Sequence, residues 1–234
     1  MTSKNYVSRS SELLKDFYNT VGLITPTLKA RLGEESADAL IREAGEEYET
    51  IIPQIPYIGE SKMAQTFLFP TTQYLALYRA LQRRGWTIDE AGPMIFDMAT
   101  AKVETMPRIV RRVMGYLWFS PWFLRRARKS AKATQRREHP GSFVAEFVEG
   151  DGKTFDYGID YRECAVCKFL TAQDAMELAP YTCAVDKPAS EMLGWGLTRT
   201  ETIVAGFERC NFRFKKGGET VVPLPPTLIR RETK

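Results

Sequence analysis

SFVAEFVEGDGKTFDYGIDYREC, running from Ser142 to Cys164, is the stretch whose reading decides the fold. Phe143, Ala145 and Phe147 alternate with Val144, Glu146 and Val148, the two-residue period of a strand with one buried face. Glu149-Gly150-Asp151-Gly152 carries the glycines and aspartate of a turn. Phe155, Tyr157, Ile159 and Tyr161 then alternate with Asp156, Gly158, Asp160 and Arg162, which predicts a second strand paired with the first as a hairpin.

Downstream, the pattern predicts two short helices, Thr171 to Leu178 and Pro188 to Leu193. Two further strands are expected at Thr198 to Ile203 and Glu208 to Phe214, parted by Ala205-Gly206. The C-terminal part therefore reads β-β-α-α-β-β, an antiparallel sheet of about four strands with helices on one face. Upstream the periodicity is helical. Ser10 or Ser11 caps a helix through Leu13, Leu14, Phe17 and Tyr18, and Glu35 to Ile51 forms another. Pro70 closes a short stretch, and Thr71 or Thr72 starts a helix that ends at Gly85. Thr87-Ile88-Asp89-Glu90 is a capping box. Gly92-Pro93 and Pro107 interrupt the helical pattern beyond that box, and a basic helix runs from Pro121 to Arg137. The expected class is α+β, with a helical region (1–138) packed against an α+β region (139–234) as one compact unit.

The chain has 234 residues and a net charge of +4, too small for nucleic-acid binding as a whole-protein property. No apolar run reaches the length of a membrane-spanning helix and the N-terminus carries no apolar signal segment, so the expected location is the cytoplasm. Self-association as a homo-oligomer stays open. Arg108 to Arg137 holds basic residues and no acid, with Trp118, Phe119, Trp122 and Phe123 among them. The favoured reading packs these aromatics beneath the sheet. Association of Trp118–Arg128 with a membrane surface is the secondary one.

All four cysteines fall between Cys164 and Cys210. Cys164-x2-Cys167 is half of a zinc motif whose second half is missing, and the single histidine, His139, lies outside the group. Burial without a joint role is the plainest alternative. Against it, Cys164 ends a strand, Cys183 precedes a helix start and Cys210 lies on a strand. A thiolate at a helix N-terminus is a competent nucleophile. Asp186 before Lys187-Pro188 also fits a helix cap, and Arg199 fits a solvated strand residue.

Tyr161-Arg162-Glu163-Cys164, Glu177-Leu178-Ala179-Pro180 with Cys183 and Asp186, Arg199-Thr200-Glu201-Thr202 with Gly206, and Cys210-Asn211-Phe212 together resemble the L-2-amino-thiazoline-4-carboxylate hydrolase family. Leu75 to Leu81 with Gly85 and Glu90-Ala91 is similar to that family's helical half. The likeness spans roughly Phe67 to Phe214. Cys164, Cys183, Asp186 and Cys210 match family positions, whereas Cys167 does not, and Asn211 stands where an aspartate is common. The resemblance implies hydrolytic opening of a cyclic isothiourea carboxylate, a small-molecule substrate, without cofactor or metal. Cys183 or Cys164 would be the nucleophile. The base would come from Asp186, Glu163, Glu177 or a second thiol. Arg199 would hold the carboxylate, with Tyr161 and Glu163 beside the substrate. A non-catalytic sensor holding a metal or small molecule on the cysteines is the alternative.

Overall fold

Apolar residues spaced for helices dominate the first half of the chain, and the computed structural model, which describes residues 4–232, answers with eight helices before the first strand. They are α1 (Lys4–Val7), α2 (Ser10–Gly22), α3 (Thr25–Leu32), α4 (Glu34–Ile51), α5 (Lys62–Gln82), α6 (Ile88–Glu104), α7 (Arg108–Leu117) and α8 (Pro121–Thr134). Then come β1 (Val144–Glu149), β2 (Tyr157–Glu163), α9 (Ala165–Ala172), α10 (Ala179–Ala184), α11 (Asp186–Leu193), β3 (Leu197–Thr198), β4 (Cys210–Phe214) and α12 (Pro226–Glu232). The class is α+β. Among the described residues no helix is long and apolar enough to cross a membrane.

Several boundaries differ from the expected ones, each for a local reason. Pro70 does not close a helix: α5 passes through it, because Leu68 and most of the turn-by-turn surface beyond it are buried. The Thr71 and Thr72 hydroxyls, expected as caps, instead bond back to the Phe67 and Phe69 carbonyls at 3.2 and 2.7 Å. Likewise Ser10 sits inside α2 and its hydroxyl donates to the Val7 carbonyl. The capping box does form, with the Thr87 amide donating to the Glu90 carboxylate at 2.9 Å. α6 absorbs Gly92 and Pro93, and Pro107 separates it from α7 as expected.

At Gly92 the Tyr181 ring lies against the backbone, so an added Cβ would stand 2.4 Å from the ring. That ring is pinned through its hydroxyl to Thr227 at 2.7 Å and Asp89 at 3.3 Å. Gly92→Ala is therefore expected to cost about 1–3 kcal/mol, read as a lowered denaturation midpoint. An unchanged midpoint would mean that Tyr181 moves aside freely.

The sheet has strand order β1-β2-β4-β3, all antiparallel. Tyr161 stands opposite Ala145 on one side and Cys210 on the other. The alternation puts Phe147, Tyr157, Ile159, Phe212 and Phe214 on one face, where Phe123 and Ala127 of α8 cover them with Trp118 and Trp195. Trp118 stacks on Trp195 with ring centroids 4.4 Å apart. The opposite face is polar; there Asp160 is held by Arg213 at 2.6 Å and Arg209 at 3.2 Å.

The strand expected at Thr198 to Ile203 shrinks to Leu197–Thr198. Beyond it the Asn211 side chain replaces a ladder partner, its Oδ1 accepting the Thr200 and Glu201 amides at 2.9 and 2.8 Å. This frees the chain to turn through Gly206 at φ +88°, a conformation that favours glycine. The helical layer shares its core with the C-terminal region: Val166, Phe169, Leu170 and Leu178 pack among buried residues of α2, α4, α5 and α6.

Candidate active site

Cys164 is the residue immediately before α9, so the end of β2 delivers its side chain to a helix N-terminus. Cys210, opposite Tyr161, projects from β4 on the same sheet face. Cys183 belongs to the last turn of α10, and Asp186 opens α11 three residues later. These four, with Tyr161 and Arg199, line one cavity of about 100 Å³. Phe67 and Thr71 of α5, together with Phe143 and Phe212, complete most of its wall.

Arg199 is only 2% exposed. Its guanidinium forms an ion pair with Asp186, donates to the Cys183 carbonyl at 3.0 Å and lies 4.9 Å from the centre of the Phe212 ring. The expectation of a solvated strand residue is thus overturned: a charge this deep requires a partner, and α11 provides it. The helix-cap reading of Asp186 fails for the same reason, since its carboxylate is committed to Arg199 and makes no cap hydrogen bond. The Arg199 Nε–H is buried and finds no acceptor among the described residues. An unmet buried donor of this kind costs about 1–3 kcal/mol.

The three cavity thiols are all shifted toward their protonated form. For Cys164, the neighbouring Cys167 thiol and burial push the pKa well above the usual range, while the Val166 and Cys167 amides draw it down. Burial pushes Cys183 up to about 12, against the pull of Arg199, and burial also raises Cys210. The expectation that Cys183 precedes a helix and has a lowered pKa is corrected: it ends one, where the helix dipole disfavours a thiolate. Burial also raises Asp186, with Arg199 opposing.

Two expected participants lie elsewhere. The Glu163 carboxylate is held by Lys168 and Arg137 and is not among the lining residues. Glu177 accepts a hydrogen bond from the Tyr78 hydroxyl at 3.1 Å. Cys167 is buried on α9 outside the cavity wall. All four cysteines are free of disulfides, and among the described residues no three His, Cys, Asp or Glu side chains converge as a metal site would need. The sequence pointed to no role for Phe67, Thr71 or Thr182, which also line the cavity. Thr182 was readable only as the neighbour of Cys183.

A second cavity, of about 250 Å³, meets the first at Phe67, Phe143 and Tyr161 and is walled chiefly by α8, the start of α5 and two loops, one bearing Gly59 and the other His139.

Fold and site together define an α+β protein with a thiol-lined cavity and a buried arginine–aspartate pair at its wall. Residues 67–214, more than half of the chain, match the family described as L-2-amino-thiazoline-4-carboxylic acid hydrolase, and the chain belongs to that family. The matched segment begins at Phe67 and contains every residue lining the thiol cavity. No curated protein and no solved structure matches this chain.

Proposed function

We propose that the chain is a hydrolase that opens the ring of a 2-amino-thiazoline carboxylate or a closely related cyclic isothiourea in the thiol cavity. The observation that carries this reading is the convergence of Cys164, Cys183, Cys210, Asp186 and Arg199 on one cavity inside the family segment. Arg199, at the cavity wall, is the cation that holds the substrate carboxylate. Because Nη1 and Nη2 already serve Asp186 and the Cys183 carbonyl, the clamp works through the remaining donors rather than the full fork.

Cys164 is the proposed nucleophile, since the first-turn amides of α9 face it. Its proton passes to the ring nitrogen as sulfur attacks the amidine carbon, and a cationic amidine beside the thiol lowers the thiol pKa at the moment of need. The ring carbon–sulfur bond then breaks and the substrate sulfur leaves as a thiol, taking a proton. Water next attacks the enzyme-bound carbon, returns the Cys164 thiol and releases an N-carbamoyl amino thiol. Asp186, already paired with Arg199, accepts hydrogen bonds from the amidinium.

Purified protein mixed with 2-amino-thiazoline-4-carboxylate should release thiol, scored with a disulfide dye and by mass spectrometry. The same ring without its carboxylate should react at least about a hundredfold more slowly. Absence of thiol from the carboxylate and from related isothioureas, with folded protein, would overturn the reading.

A further inference from the structure

α7 faces the wrong way for a surface helix. Ile109, Val113, Tyr116 and Leu117 recur at helical spacing on one face, and that face points to solvent: Ile109 is 73% and Tyr116 66% exposed. Gly115 is on the side that packs. It is buried, and an added Cβ there would stand 2.0 Å from the Leu193 carbonyl oxygen of α11. Val110 and Met114 extend the exposed apolar stripe, and Trp122, 66% exposed at the start of α8, continues it. A cluster of this size on a folded chain marks a surface that is covered in use.

The charges around it say by what. From residue 108 to 137 there is no acid. The side chains of Arg108, Arg111, Arg112 and Arg125 have no ion-pair or hydrogen-bond partner among the described residues. Beside the stripe a groove of about 800 Å³ between α7 and α11 is lined by Arg108, Arg111, Arg112 and Lys216 against a single acid, Glu191, which is paired with Lys187. A second copy docked through a two-fold axis would bring two such positive faces together, a repulsive arrangement. An anionic bilayer satisfies both features: its headgroups meet the cations, and its interfacial zone takes the apolar stripe with Tyr116 and Trp122.

We propose that α7 and the first turn of α8 form a peripheral docking surface for membranes rich in anionic lipid. The proposal rests on this surface alone and is independent of the chemistry assigned to the thiol cavity. It also differs from the reading drawn from Trp118–Arg128, since Trp118, Phe119 and Phe123 pack beneath the sheet. What remains outside is the stripe of α7 together with Trp122.

The test is co-sedimentation of the full chain with vesicles of phosphatidylserine and phosphatidylcholine in equal parts, against pure phosphatidylcholine. Partitioning to the anionic vesicles should be roughly tenfold stronger or more, and should fall as salt is raised. Val113→Asp with Leu117→Asp should abolish it, as should Arg108→Glu with Arg112→Glu. Both variants should keep the wild-type melting temperature, because the changed side chains lie on the surface. Equal binding to neutral vesicles, or binding to neither, overturns the proposal. So does a concentration-dependent dimer in sedimentation velocity that Val113→Asp dissolves, which would assign the stripe to a second copy.

Discussion

Thiol release from a 2-amino-thiazoline carboxylate is expected to fall by at least about a thousandfold when Cys164 is replaced by serine, while the protein remains as stable as before. The combination is what makes the test sharp. Cys164 occupies the position before α9, where serine caps a helix better than cysteine, so the substitution removes the thiol without loosening the fold. The hydroxyl keeps the geometry but is a far weaker nucleophile near neutral pH. Cys183→Ser should lose activity as well, because its thiol forms the facing wall, while the backbone carbonyl that holds Arg199 is untouched by the change. There the new hydroxyl can bond the preceding turn of α10, as Thr182 does to the Ala179 carbonyl at 2.8 Å. Measurement of turnover and melting on the same preparations decides the matter. If both variants retain wild-type turnover, the cysteine mechanism is wrong.

The largest loss of stability should come from Arg199→Leu, at about 3–5 kcal/mol in chemical denaturation. Arg199 is 2% exposed, and its removal leaves the Asp186 carboxylate buried without its counter-charge. Changing both residues to leucine should restore much of the loss, since an apolar pair of similar volume no longer demands solvation. A single Arg199→Leu variant as stable as the wild type would show that the pair contributes nothing. The pH dependence has a definite sign. Burial already raises the Asp186 carboxyl, and without Arg199 nothing opposes that rise. A carboxyl whose folded pKa lies above its unfolded value favours the fold when protonated, and that contribution is lost as pH rises through the folded value. The deficit of the variant should therefore shrink as pH falls.

The hairpin at Ser142 to Cys164 was legible because alternation over two strands and a glycine-bearing turn are local signals, and the antiparallel sheet followed from it. The end of the third strand was not legible. What stops it at Thr198 is the Asn211 side chain reaching across to the Thr200 and Glu201 amides, a tertiary event that no window of sequence contains. Pro70 misled for a similar reason: local propensity speaks against a helix there, and burial along the rest of α5 outweighs it. At the site, Cys164, Cys183, Asp186, Arg199, Tyr161 and Cys210 were readable as a group, whereas their partnerships were not. Asp186 before Lys187-Pro188 has every local mark of a cap, and only the fold reveals that Arg199 claims it. Glu163 sits one residue from Cys164, yet the strand's alternation turns it toward Lys168 and Arg137.

The sharing of one core by distant parts of the chain has a consequence for synthesis. A ribosome delivers α1 to α6 well before Val166, Phe169, Leu170 and Leu178, which fill the space among those helices. For that interval the emerging helices carry a greasy opening that their own residues cannot close, the kind of transient surface that chaperones recognise. Completion of the helical layer is thus timed by the arrival of α9, the same helix that sets Cys164 in the cavity wall. One short helix thus supplies both core residues that the helical layer lacks and the N-terminus at which Cys164 sits.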